Sequence, residues 1–257
     1  MQVEPSAPAV EQVNPPRDAA AAPPIAHEMD TPAWYERKAH LVFWLVAACG
    51  LALDLVSKEW IFHHLRQSRE PMSVIPSVID FQTMFNGGAL FGIGQGQTSL
   101  FLVASVVALT LVVWMFACSS ARRKLLHVAL AGILAGALGN MYDRSFVRLV
   151  EYPIKSYRYF VREDLPDGRI RLVEYPPAPN ARQIELPPSS AEFIGPELGY
   201  VRDFIKISTA IRGQSIYPWI FNVADMLLVG GVGILAIQLL FERQSRAAAD
   251  SPPQIAA

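Results

Sequence analysis

The sequence is poor in charge. Asp, Glu, Lys and Arg make up only 18% of its residues and cancel to a formal net charge of −1. That balance removes the electrostatic basis for nucleic-acid binding. Cysteine is almost missing too. Cys49 and Cys118 both fall in apolar runs and offer neither a disulfide framework nor a metal-ligand spacing. No H-x-x-x-H or H-E-x-x-H string occurs, and the serines of the apolar runs have no base close in sequence. The expectation is a protein without metal or cofactor that uses no Ser or Cys nucleophile.

What the chain has in quantity is hydrophobic residues, 52% of the total, gathered into four long runs. Leu41–Trp60, Ser99–Cys118, Leu125–Tyr142 and Pro218–Phe241 are each long enough to cross a bilayer as a helix. Residues 1–33 are rich in Pro, Ala and Glu without periodicity and read as a disordered tail, as do residues 244–257. The tail is not a secretory signal, because no basic start precedes an apolar stretch. Residues 34–243 then form one membrane domain. Its fold class is membrane all-α, a four-transmembrane-helix bundle with a small outer-face β element and a long outer loop insertion.

Orientation follows from the short basic flanks. Arg37 and Lys38 precede the first run, Arg122, Arg123 and Lys124 join the second to the third, and Arg243 and Arg246 follow the fourth. Four spans put all three clusters on one side, which the positive-inside rule makes cytoplasmic, with both termini. The polar residues inside the runs then converge on the opposite leaflet. Asp54 and Lys58 lie four apart and can pair on one helix face, while Asn140, Asp143 and Arg144 end the third run. Asn222 and Asp225 open the fourth, and Asp225 is the sole charge between Phe221 and Phe241. A carboxylate in such a run costs several kcal/mol unless paired, protonated or facing a polar cavity, so it marks a functional site. Asp54–Lys58 reads instead as an ion pair pinning helices together, and Asp143 with Arg144 as scaffold.

Five short strings in order give this pattern a family resemblance: DLVSK (Asp54 to Lys58), FNGGALFGI (Phe85 to Ile93), AGALGNMYDR (Ala135 to Arg144), VRDF (Val201 to Phe204) and FNVAD (Phe221 to Asp225). The chain resembles the lipoprotein signal peptidases (signal peptidase II), membrane aspartyl proteases. The resemblance covers about residues 41–144 and 200–241. It implies a catalytic pair at Asp203 and Asp225. It makes Asp143, Asn140 and Arg144 a supporting and substrate-positioning group, assigns Asn86 to a substrate-contacting loop and lets Asn222 orient the dyad. Gly88, in the Gly-rich stretch from Gly87 to Gly96, would let that loop approach a peptide backbone. With Phe81, Phe85 and Phe91 the stretch reads also as a small sheet resting on the membrane surface, the other reading of these aromatics being an ordinary interfacial belt. Taken alone, Asp203 reads as a solvated loop carboxylate.

The implied activity is aspartic endopeptidase cleavage of a diacylglyceryl-modified prolipoprotein by water attack, with lipid the other partner and a monomer the working state. A proton-coupled transporter using the intramembrane acids is the rival reading. Two departures stand out. Ala135 occupies a position where the family usually has Gly. Residues 145–200 are far longer than the linker the family places there. Their Pro166-Asp167-Gly168 turn predicts an outer-face hairpin followed by Pro-rich irregular chain. The insertion reads as tolerated surface decoration, with a lid or docking element as the second possibility.

Overall fold

The computed structural model describes residues 31–66, 70–88, 97–154 and 156–249. Most of the expected N-terminal tail, residues 250–257 of the C-terminal one, and Phe91 with Gly96 lie outside them. Four helices dominate: α1 (Arg37–Leu65), α2 (Thr98–Cys118), α3 (Lys124–Phe146) and α4 (Val223–Ala249). All four are long and apolar enough to cross a membrane. The most apolar window of α3 is 72% buried, against 22% for α1 and 11% for α2 and α4. α3 is therefore the hub, with the other three packed around it and Leu45, Leu53, Val103, Val107, Val229 and Leu240 left exposed as on a lipid-facing surface.

The hub works because α3 is lined with small residues. A Cβ added at Gly136 would overlap the Ala224 carbonyl, and one at Gly139 would overlap Asp54 Oδ2. Across the same contact, a Cβ at Gly231 would overlap the Ala129 carbonyl. Small faces of this kind let helix backbones approach closely. Ala135 is fully buried and accommodated because Gly50 stands opposite, where a Cβ would come within 3.0 Å of the Ala135 Cβ.

The strands correct the all-α expectation. β1 (Met72–Ile75), β2 (Ile79–Asn86), β8 (Val201–Ile207) and β11 (Ile220–Phe221) form an antiparallel sheet in that order. Phe81 and Phe85 both lie on β2. The insertion is also more than a hairpin with irregular chain. β3 (Arg148–Ile154), β4 (Ser156–Asp164), β5 (Ile170–Glu174), β6 (Gln183–Leu186) and β7 (Leu198–Gly199) make a five-stranded antiparallel sheet, ordered β6-β5-β4-β3-β7. The predicted turn is there, with Gly168 at φ +81° between β4 and β5. What the sequence reading missed is a small core of Val150, Phe160, Ile170, Leu172 and Ile194 that gives the insertion a fold of its own. A two-residue turn at Arg212 and Gly213 joins the short strands β9 (Ala210–Ile211) and β10 (Gln214–Ser215).

Three boundaries move. Thr31 to Ala33 are not tail, since Pro32 bridges Ser120 and the Ala33 N–H donates to the Ser119 carbonyl at 2.8 Å. α4 continues to Ala249, past the expected span end at Phe241 and into the expected tail. It also starts at Val223 rather than Pro218, because Ile220 and Phe221 pair with Lys206 and Ile205 of β8.

Candidate active site

The new start of α4 explains FNVAD locally. Asn222 precedes the first helical turn, and its Oδ1 accepts the Asp225 N–H at 3.0 Å. The Asp225 carboxylate returns the favour, accepting the Asn222 N–H at 3.2 Å. This reciprocal pair is a capping box, which satisfies two backbone donors the helix cannot. The Ala224 N–H is taken by Asp54 Oδ1 of α1 at 2.8 Å. Asp225 thus sits in the first turn of its helix. The positive end of the helix macrodipole favours its negative charge there.

Asp203 arrives from β8 and is not a solvated loop residue. It lies on a strand and is 1% exposed. Asn222 Nδ2 donates to its Oδ1 at 2.6 Å, and Asn86 Nδ2 of β2 donates to its Oδ2 at 3.0 Å. Burial first, and the Asp225 carboxylate second, push Asp203 up from 3.8 to about 8, against the lowering effect of the two amides. Asn140 of α3 completes the ring, donating from Nδ2 to Asp225 Oδ1 at 2.8 Å and accepting at Oδ1 from Asn222 at 3.2 Å. Asn222 therefore touches both carboxyl groups, Asp203 through its side-chain amide and Asp225 through its backbone N–H.

The remaining expected residues support this ring. Lys58 is fully buried, 2.7 Å from Asp54, 3.3 Å from Asp143 and 3.2 Å from Asn140 Oδ1. One ammonium with three donors thus ties α1 to α3, while Asp54 ties α1 to α4. Arg144 donates to the Gly88 carbonyl at 2.7 Å, and the Gly88 N–H donates to Asn86 Oδ1 at 2.9 Å. Its guanidinium carbon lies 5.0 Å from the centre of the Phe101 ring. All ten side chains or backbones expected from the sequence meet in one connected network.

Sequence reasoning missed Arg202. It stands in VRDF beside Asp203, is 3% exposed, and donates to Asp143 from its backbone at 2.9 Å and its side chain at 2.8 and 3.1 Å. It also reaches Glu59 Oε2 at 2.7 Å and the Tyr175 hydroxyl at 3.2 Å. Burial works against its charge, but Asp143 together with Tyr175 and Glu59 more than offsets that and holds it above its ordinary value. No local signal marks Arg202, because the groups it meets lie far from it in sequence. Tyr217 was missed as well. It lines the same cavity as Asp203 and Asp225, and burial followed by those two carboxylates raises its hydroxyl.

Both carboxyl groups open into a cavity of about 670 Å³. Asn86, Asn140, Arg144, Asp203 and Asp225 give it one polar end, and Phe101, Ala104, Ala108, Leu228 and Val229 of α2 and α4 wall the apolar remainder. Among the described residues, no group of three or more His, Cys, Asp or Glu is arranged to hold a metal. The arrangement offers two differently placed acids at the head of a greasy groove.

The family model for signal peptidase (SPase) II matches residues 46–241. A lipoprotein signal peptidase of Clostridium novyi (strain NT) is 31% identical over 198 residues, spanning 77% of this chain and 97% of that protein. One from Rhodopirellula baltica is 35% identical over 136 residues, 52% of this chain and 60% of that one. A solved structure described as a bacterial membrane enzyme, obtained by the in meso method at 2.3 Å, shares the fold with a TM-score of 0.53. That match has 21% identity and covers 88% of this chain and 98% of that one.

Proposed function

This chain belongs to the signal peptidase II family, and we propose that Asp203 and Asp225 form its catalytic dyad, cleaving the signal peptide from a diacylglyceryl-modified prolipoprotein. The observation that carries the proposal is the shared Asn222, which donates to the Asp203 carboxyl from its side-chain amide and to the Asp225 carboxyl from its backbone N–H, at the polar end of an otherwise apolar cavity.

Two neighbouring carboxyls hold one proton more readily than none. We assign the shared proton to Asp203, which is buried on its strand, and the role of base to the Asp225 carboxylate. Asp225 takes a proton from a water, whose oxygen attacks the scissile carbonyl carbon. The Asp203 hydroxyl donates to the carbonyl oxygen as charge develops on it. When the C–N bond breaks, the amine leaves with the proton that Asp225 took up. Asn86 and Asn222 hold Asp203 still, and Asn140 holds Asp225. The apolar walls suit acyl chains and a signal helix entering from the bilayer, and place the bond beside the cysteine at the carboxyls. We also propose that the basic ends are cytoplasmic and both sheets lie on the outer face.

A proton-coupled transporter fits less well. The buried cluster between the site and the basic end consists of residues such as Phe43, Ala47, Phe116, Leu130 and Leu134, which relay no protons. The test is cleavage of a diacylglyceryl-modified peptide by the purified protein beside its unlipidated twin. Cleavage before the lipidated cysteine, with the twin cut far more slowly, is the expected result; proton flux in liposomes without cleavage would favour the transporter.

A further inference from the structure

The insertion touches the strands that carry Asn86 and Asp203, and it touches them from behind. Phe85 and Arg202 are direct partners in the β2–β8 register, one position away from Asn86 and Asp203 respectively. Alternation along a strand sends Asn86 and Asp203 to one face and Phe85 and Arg202 to the other. Asn86 and Asp203 line the cavity, whereas none of the described residues between 145 and 200 does. A lid would close over the front of the site. The insertion packs on its back.

Its point of contact is narrow. Tyr175, just beyond β5, sets its ring 5.4 Å from Phe85 and 6.4 Å from Phe62, both edge to face, and its hydroxyl accepts from Arg202 at 3.2 Å. It thereby grips both members of one cross-strand pair. Tyr159 and Tyr200 close the same aromatic pocket, with ring centres 4.7 and 6.4 Å from that of Phe85. The segment after Tyr175 is anchored in turn. Arg66, at the end of α1, donates to the Pro176 carbonyl at 3.3 Å and to Asn180 Oδ1 at 3.4 Å, while its own carbonyl accepts from Thr83 of β2 at 2.7 Å. Tyr200 also crowds Gly87, where a Cβ would come within 3.1 Å of its ring.

We propose that the insertion is a positioning element for the peptidase site, and that Tyr175, through Phe85 and Arg202, fixes where Asn86 and Asp203 stand. This rests on the assignment of Asp203 to the dyad. Tyr175 touches no substrate. It acts through the two strands, so its loss displaces a carboxyl and an amide that must meet within hydrogen-bond reach.

The test measures kcat and KM for the lipidated peptide with full-length Tyr175→Ala and Tyr175→Phe, alongside Asp203→Asn and the exposed control Glu185→Gln. Small misplacements of reacting groups are costly, so Tyr175→Ala should lower kcat about 10-fold and Tyr175→Phe, which keeps the ring, about threefold. KM should stay within about twofold, because the cavity walls are untouched. Glu185→Gln should match the parent. A Tyr175→Ala kcat equal to the parent's, whatever its melting temperature, overturns the proposal and returns the insertion to surface decoration. If Tyr175→Ala does not fold, Tyr175→Phe decides alone, an unchanged kcat being the refuting result. Cleavage surviving in Asp203→Asn removes the premise instead, an outcome recognisable whatever the Tyr175 variants do.

Discussion

The Asn222 side chain divides its hydrogen bonds between two jobs that substitution can separate. Its oxygen caps α4, and its amide joins Asp203 to Asn140. Serine keeps a capping oxygen but has no amide, whereas alanine has neither. Asn222→Ser and Asn222→Ala should both lose cleavage, roughly 100-fold in kcat, as expected for removing an orienting donor. Only Asn222→Ala should also lose about 1 kcal/mol of stability, read from thermal unfolding in detergent. Asp203 predicts a pH dependence of its own. Its folded pKa lies above its ordinary 3.8, near 8, so the folded state retains a proton that the unfolded chain releases. Its contribution to stability is complete below about pH 4 and is lost as pH rises through about 8. Cleavage should fall on the same alkaline limb, as the shared proton leaves. Asn86→Ala removes a donor that lowers this pKa, so its limb should move to higher pH in a kcat–pH profile. The motif strings made both aspartates legible. Arg202 was not, because its partners Asp143, Glu59 and Tyr175 are distant in sequence and meet it only through tertiary packing.

Helix packing sets how closely these side chains can meet. α3 reaches α4 through Gly136 and Gly231, so the Asn140–Asp225 contact depends on residues that carry no side chain. Gly136→Ala should force α4 away from α3, destabilise the bundle by about 1–3 kcal/mol and depress cleavage with it. Gly230→Ala, where an added Cβ meets nothing within 4 Å, should leave both unchanged or slightly raise stability. Thermal unfolding and cleavage rate on the same preparations check the contrast. Apolar run length was enough to find all four helices. It misplaced the start of the fourth because Ile220 and Phe221 are apolar in either structure, and only pairing with β8 makes them strand. The capping pair Asn222 and Asp225 was the local signal for the true start, three residues apart and readable as such. The insertion's sheet was half legible, since the Pro-Asp-Gly turn marks one hairpin but the edge strands β6 and β7 are short and defined by their neighbours.

In the molecule as a whole, the described members of the site come from α1, α3, α4, β2 and β8, with Gly88 and Asn222 flanking β2 and α4. The proposed orientation places the insertion outside, with Arg162 and Arg169 exposed on it. Trypsin added to vesicles with the outer face exposed should cut within the insertion. In vesicles of the opposite orientation it should spare the insertion and attack the Arg122–Lys124 link. The reverse pattern would overturn the orientation without touching the site. The central claim is the dyad, and the most direct measurement is the cleavage rate of a diacylglyceryl-modified prolipoprotein peptide by purified Asp203→Asn and Asp225→Asn. The account predicts that both variants insert and fold normally yet leave the peptide uncut. Cleavage at the parent rate by either one would contradict it.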